Sequence, residues 1–166
     1  LLFTTGKKSL KSDSAKLAFQ HLLNDACIDI AKQMARDGEG AQKLFEVRVN
    51  GAASDADARS VSKNVVSSPL VKTAVAAASA NWGRLVMAIG KDDSVQVDPN
   101  TIDIAIGEVY LVQKGVPAEG VRELAEAQMQ GDTVVVTVNL NQGEYSATAW
   151  GCDMTEAFIH INAEYN

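Results

Sequence analysis

The chain has 166 residues, of which 46% are hydrophobic and 22% are charged, with a formal net charge of −6 and an isoelectric point near 4.9. This length allows one domain with its own core, and this composition excludes an intrinsically disordered chain. The acidic balance, with no basic face in the sequence, argues against nucleic acid or an anionic membrane surface as a partner, and no apolar run is as long as a transmembrane helix.

The first predicted elements are a strand end, a long helix and a second strand. The stretch "LLFTTG" at residues 1–6 is typical of the end of a buried strand. Apolar side chains recur at helical spacing over residues 15–36, which predicts a long core helix with one apolar stripe. Ser12 to Ser14 offer N-cap side chains for this helix. Gly38 and Gly40 should end this helix through a left-handed cap. The alternation in "KLFEVRVNG", residues 43–51, predicts a strand.

The middle of the chain is predicted to be mainly helical. Ser54, which acidic residues follow, caps a helix that ends at Pro69. Residues 69–80 are small and apolar, and they fit either a helix or a strand. Asn81 then caps a short helix that Gly90 ends.

Strands dominate the last third. Residues 101–115 predict two short strands around Gly107, and residues 117–131 predict a helix with Pro117 near its start. Residues 132–152 predict a β-hairpin that turns at "NQGE".

Asp153 is predicted to cap a last helix within residues 154–166. Strands and helices therefore alternate without a regular βαβ repeat, and an antiparallel hairpin is expected. This pattern favours the α+β class, with helices packed on a mostly antiparallel or mixed β-sheet, in a single unit that covers residues 1–166.

One acidic residue, Glu39, lies between two glycines in "RDGEGAQKLFEV", residues 36–47. Glycines let a backbone approach a ligand closely, so this turn is suited to present a carboxylate. The alternative is a solvated loop residue, because most glutamates in loops face water. The polar C-terminal stretch "INAEYN", taken alone, is typical of a frayed end.

Other notable residues have structural explanations. Trp82 in "NWGR" is expected to anchor the core or an interface rather than to stack on a ligand, and Arg84 is expected to pair with a carboxylate, either of the protein or of a ligand. Cys27 and Cys152 lie far apart and are expected to be buried thiols of a reducing compartment. The histidines and cysteines lack metal-ligand spacing, and no catalytic triad, dinucleotide motif or P-loop can be assembled. The residues alone therefore name no reaction.

Five stretches occur in a specific order: "RDGEGAQKLFEVRVNGAASDADAR", "SPLVKTAVAAASANWGRLVMAIG", "VDPNTIDIAIGEV", "GDTVVVTVNLNQGEYSATAWGCDMT" and "HINAEYN". Together they closely resemble the ornithine acetyltransferase family, the bifunctional glutamate N-acetyltransferases of arginine biosynthesis. Each stretch is weak evidence alone, but five matches in order are specific. The resemblance extends over about residues 1–166.

The resemblance implies an enzyme that moves the acetyl group of N2-acetyl-L-ornithine to L-glutamate without a cofactor, and some members also take acetyl-CoA as a co-substrate. The precursor cuts itself at an Ala-Thr bond, and the new N-terminal Thr of the β chain carries the acetyl group. A Thr-Gly pair of the α chain forms the oxyanion hole. The implied partner is the α chain of the same precursor, in a dimer of αβ heterodimers. The implied location is the cytoplasm, or the mitochondrion or plastid in a eukaryote.

The chain contains no Ala-Thr junction of this kind, so it resembles most of a β chain without its nucleophile. We therefore expect no catalytic residue in this chain and no activity from it alone. Two substrate-binding residues carry over from the family motifs. Glu39 matches the glutamate of the DGEGA turn and is expected to pair with the cationic amine of ornithine. Asn162 matches the asparagine of the C-terminal motif and is expected to bind polar backbone groups of the substrate.

Two other functions fit the same sequence. A related N-terminal-nucleophile amidase or aminopeptidase would end acyl transfer on water instead of glutamate. A binding or assembly domain would keep the fold without the nucleophile.

Overall fold

The computed structural model describes residues 4–164. The strand end predicted at residues 1–6 falls partly outside the described residues, and Thr4 and Thr5 belong to no strand. No helix within the described range is long and apolar enough to cross a membrane.

Within residues 4–164 the chain forms six helices and six strands. The helices are α1 (Asp13–Arg36), α2 (Asp55–Ser67), α3 (Pro69–Ala76), α4 (Trp82–Ile89), α5 (Arg122–Ala127) and α6 (Glu156–Ala163). The strands are β1 (Leu44–Ala52), β2 (Asp103–Ile106), β3 (Val109–Gln113), β4 (Val116–Pro117), β5 (Thr133–Asn139) and β6 (Tyr145–Cys152). Ser12, Ser54 and Asn81 cap α1, α2 and α4 as predicted, because each side chain accepts a hydrogen bond from a backbone N–H of the first turn.

The segment that fitted either a helix or a strand is helical in α3. Pro69 occupies the first turn, where its fixed φ suits a helix and its missing N–H costs no hydrogen bond. Pro117, in contrast, is not at a helix start. It lies in the edge strand β4, and the helix predicted for residues 117–131 is shortened to α5. An edge strand tolerates proline because one side of its backbone needs no partner.

All six strands form one mixed sheet in the order β4-β3-β2-β5-β1-β6. β1 pairs with β5 in parallel, and the other neighbouring strands are antiparallel. The predicted α+β fold, with helices packed on a mixed sheet, is therefore confirmed.

The hairpin predicted over residues 132–152 is wrong. β5 and β6 are both present, but β1 lies between them and pairs with each. The connection between them passes over the end of β1, where the Gln142 and Gly143 N–H groups donate to the Gly51 carbonyl at 2.7 and 2.9 Å. A local pattern identifies strands and turns, but it does not identify which strand inserts from elsewhere in the chain.

The core lies between one face of the sheet and the helices α2, α3 and α4. Phe45, Val47 and Val49 of β1 point to this face and are fully buried together with Val61 and Val65 of α2. Side chains alternate along a strand. The even-numbered residues of β1, including Glu46, therefore point to the opposite face, which α1 approaches.

Helix α1 ends at the predicted residue and begins two residues earlier than predicted, but it is not a core helix. None of its residues is buried, and Leu22 and Met34 of its apolar stripe are 69% and 72% exposed. It is attached through polar contacts: Lys32 Nζ lies 3.5 Å from Glu46 Oε2, and Arg36 donates to Thr133 Oγ1 at 3.1 Å. Helical periodicity predicts that an apolar stripe exists, but not whether the same chain covers it.

Candidate functional site

The glycine-flanked carboxylate lies in a tight turn directly after α1. The Ala41 N–H donates to the Gly38 carbonyl at 2.9 Å, which closes the turn with Glu39 and Gly40 at its centre. Gly40 has a φ of +67°, the left-handed conformation that glycine adopts without strain at the third position of such a turn. The predicted left-handed glycine cap of α1 is wrong, because Gly38, the residue after the C-cap Asp37, does not have a positive φ.

Both glycines are also needed for close packing of this turn. A Cβ atom on Gly38 would lie 2.6 Å from the sulfur of Cys152, at the end of β6. A Cβ atom on Gly40 would lie 2.6 Å from the backbone nitrogen of Phe158, in the first turn of α6. The turn is thus pressed against the junction of β6 and α6.

Asp153 holds the segment that follows the turn. Its buried carboxylate accepts hydrogen bonds from the backbone N–H groups of Gln42 and Lys43 at 2.9 and 3.1 Å. The prediction that Asp153 caps the last helix is therefore wrong. The N-cap of α6 is Thr155, whose hydroxyl accepts from the Phe158 N–H at 3.4 Å. Either residue fits the preference for a short polar cap, and only the path of the chain decides between them.

Helix α6 places Asn162 beside the turn. The Asn162 Nδ2 group donates to Glu39 Oε2 at 2.9 Å and also to the Phe158 carbonyl at 2.9 Å. The two residues that the sequence singled out, 123 positions apart, are therefore hydrogen-bonded to each other. Asn162 belongs to α6 rather than to a frayed end.

The chemistry of these contacts determines what the pair offers to a ligand. Both partners of Asn162 Nδ2 are acceptors, so the amide nitrogen, not the oxygen, must face them. The Asn162 Oδ1 atom and the second oxygen of Glu39 then remain as acceptors. Both side chains are exposed in this chain. An open cluster of acceptors with one negative charge suits a ligand that brings several N–H donors and a positive charge.

Lys43 joins the same region to two helix ends. Its Nζ donates to the Met129 carbonyl at 2.9 Å and to the Val75 carbonyl at 3.3 Å. These carbonyls lie near the C-terminal ends of α5 and α3, where helical carbonyls lack partners within their own helix. The segment that follows the Glu39 turn is therefore bound to the ends of α3 and α5 as well as to Asp153.

A second carboxylate, Glu46, shows a contrasting environment. It is 5% exposed and accepts from Arg48 Nε at 2.6 Å and Trp150 Nε1 at 2.8 Å, with Lys32 at 3.5 Å. Burial raises the pKa of Glu46, but the hydrogen bonds from Trp150 and Arg48 and the charges of Arg48 and Lys32 outweigh it, so this pKa lies below its ordinary value. Neighbouring side chains occupy both carboxylate oxygens of Glu46, so this carboxylate has a structural role.

The structure also tests the predictions for Arg84, Trp82 and Cys27. Among residues 4–164, Arg84 pairs with no protein carboxylate, and its guanidinium instead donates to the Leu70 carbonyl at 2.9 Å and to Thr73 Oγ1 at 3.1 Å. Trp82 is 43% exposed, so it is not part of the core of this chain, and of its two predicted roles only that of an interface anchor remains a prediction. Cys27 is exposed and not a buried thiol. Among residues 4–164, no group of three or more histidine, cysteine, aspartate or glutamate side chains is placed to hold a metal ion.

The fold defines the chain as a mixed-sheet α+β protein, and comparison with known proteins specifies it further. The model of the ArgJ family matches residues 1–166, and the chain belongs to this family. This result confirms the family predicted from the sequence.

Individual relatives agree with this assignment. The arginine biosynthesis bifunctional protein ArgJ of Geobacillus kaustophilus is 48% identical over 147 residues, which cover 89% of this chain and 36% of that protein. The protein of the same name from Ruegeria pomeroyi is 41% identical over 166 residues, with 99% and 40% covered. The chain thus spans well under half of the length of these relatives.

A solved structure shares the fold. The crystal structure of arginine biosynthesis bifunctional protein ArgJ from Bacillus halodurans superimposes with a TM-score of 0.89 at 45% identity. The match covers 95% of this chain and 74% of that chain.

Proposed function

We propose that this chain is the substrate-binding portion of an ArgJ-family acetyltransferase of arginine biosynthesis. The complete enzyme transfers the acetyl group of N2-acetyl-L-ornithine to L-glutamate through an acetyl-threonine intermediate, and some members of the family also use acetyl-CoA. The nucleophilic threonine and the oxyanion hole lie outside this chain, on segments of the same self-processed precursor. Location in the cytoplasm and assembly as a dimer of αβ units belong to the same proposal.

One observation carries this proposal: Glu39 and Asn162 meet at 2.9 Å although 123 positions separate them. The family resemblance assigns each of them to substrate binding independently. Their acceptor atoms form one open cluster, which suits the cationic amine of an ornithine substrate. The exposure of both side chains fits a site that other parts of the enzyme cover, because a charge-assisted contact is strong only when water is excluded.

The test is the Glu39→Gln variant of the full-length enzyme. Glutamine keeps an acceptor for Asn162 but removes the charge that pairs with the amine. We expect the loss of about 2–4 kcal/mol of substrate-binding or transition-state free energy, read from kcat/KM for N-acetylornithine.

Glu108→Gln is the matched control. Glu108 is also exposed and follows a glycine with positive φ, in the turn between β2 and β3. Wild-type kinetics in both variants would refute the role of Glu39. Measuring acetylglutamate against free acetate in the same assay separates transfer to glutamate from the amidase alternative, in which water is the acceptor.

A further inference from the structure

We infer that Thr155 is a positioning residue that sets the geometry between Glu39 and Asn162. The inference rests on the proposed function, because it concerns how the two substrate-binding residues are held together. The Thr155 hydroxyl is hydrogen-bonded to Gly40 and Phe158, and not to either of these two side chains. It acts through the backbone of the Glu39 turn on one side and the backbone of α6 on the other.

The Thr155 hydroxyl makes two hydrogen bonds of different kinds. It donates to the Gly40 carbonyl at 2.6 Å, and it accepts from the Phe158 N–H at 3.4 Å. The second bond is an ordinary helix cap within α6. The first bond connects two elements 115 positions apart, and capping does not require it.

These bonds form a closed ring with the candidate site. Glu39 precedes Gly40, whose carbonyl is bound by Thr155; Thr155 binds the Phe158 N–H. The Phe158 carbonyl in turn accepts from Asn162 Nδ2, which also donates to Glu39 Oε2. The Thr155 hydroxyl therefore closes the same loop of contacts that places the amide beside the carboxylate.

The packing around the hydroxyl makes this connection stiff. The contact between Thr155 and Gly40 is partly buried, so water competes weakly for the carbonyl. Because Gly40 has no Cβ, the turn can lie directly on the first turn of α6. Another cap of the same type is Ser54 in α2, which accepts from the Asp57 N–H at 3.1 Å. Ser54 follows the C-terminal end of β1, whereas the Glu39 turn precedes the start of that strand.

Loss of the Thr155 donor leaves the Gly40 carbonyl without this partner and lets the turn shift relative to α6. Substrate positioning is sensitive to displacements of this kind. We therefore expect about a tenfold rise in KM for N-acetylornithine, with kcat changed by less than about threefold, because uniform binding is lost.

Three variants of Thr155 in the full-length enzyme test this. Thr155→Val removes both hydrogen bonds, whereas Thr155→Ser keeps the hydroxyl and should restore a near wild-type KM. Thr155→Asp keeps an excellent cap acceptor but cannot donate to Gly40, and it provides the test if the valine variant fails to fold. Ser54→Ala is the control for loss of a cap alone, and it should leave KM unchanged.

A double variant that combines a Thr155 substitution with Glu39→Gln tests whether Thr155 acts through Glu39. If Thr155 acts through Glu39, its substitution should change KM much less in the Glu39→Gln background than in the wild type. The inference is overturned if the valine and aspartate variants keep the wild-type KM, if serine does not rescue, or if the two effects are additive. If Glu39→Gln itself leaves kcat/KM for N-acetylornithine unchanged, the proposed function fails instead, which is a separate result.

Discussion

Substitution of Gly40 by alanine tests the close packing of the Glu39 turn on α6. The new Cβ would lie 2.6 Å from the Phe158 nitrogen and 2.9 Å from the carbonyl carbon of Ala157. Both are backbone atoms of the helix, so they cannot rotate away as a side chain would. The turn or the helix must move, and either movement separates Glu39 from Asn162.

Two terms contribute to the destabilisation of this variant. Alanine at a φ of +67° costs about 1–2 kcal/mol from backbone strain. Forcing an extra methyl group into a packed contact costs about 1–3 kcal/mol more. Gly120→Ala is a matched control for the first term, because Gly120 has a φ of +71° and open space where its Cβ would lie.

The assay is urea-induced unfolding of the two variants in the full-length enzyme, together with KM for N-acetylornithine. Gly40→Ala should lower the free energy of unfolding by about 1–3 kcal/mol more than Gly120→Ala, and it alone should raise KM. Equal losses of stability would refute the packing of the turn on α6. A change of stability without any change in KM would refute the link between this packing and substrate binding.

Two further predictions concern the charged groups around β1. Because the pKa of Glu46 is lowered by folding, its stabilisation is complete above the ordinary value of 4.5 and is lost as the pH falls through the lowered folded-state pKa. The stability difference between wild type and Glu46→Gln, from urea midpoints, should therefore shrink below pH 4.5, and a difference that is independent of pH would contradict this. Lys43→Met, which leaves the Met129 and Val75 carbonyls without their charged donor, should cost about 2 kcal/mol, whereas Lys63→Met on the exposed side of α2 should be nearly neutral.

Local signals predicted several elements with accurate bounds. Ser12, Ser54 and Asn81 cap their helices because a short polar side chain is matched to N–H groups only two or three residues away. Such a preference is contained within one turn of the chain, so it can be read without tertiary information. The choice between Asp153 and Thr155 could not, because both have suitable side chains and the packing of the Glu39 turn engages Asp153.

The predicted hairpin between β5 and β6 was wrong because strand pairing depends on a strand from a distant part of the chain. The alternation of β5 and β6 and the turn residues between them are compatible with pairing, and they are equally compatible with an inserted strand. β1 takes this place because its side chains Phe45, Val47 and Val49 complete the apolar face over α2. The residue pattern within residues 132–152 does not show whether β5 and β6 pair directly or are separated by β1.

For the candidate site, the sequence by itself determined its chemistry: a carboxylate between two glycines, and a family resemblance that assigned Glu39 and Asn162 to substrate binding. Residue types and short-range backbone preferences are local properties of the chain, so they can be inferred without knowledge of the tertiary structure. Only the tertiary structure decided that the two residues meet at 2.9 Å and that Asp153 and Thr155 hold the turn. These contacts span more than a hundred positions, and they exist because β1 enters the sheet beside β6, which places α6 against the turn.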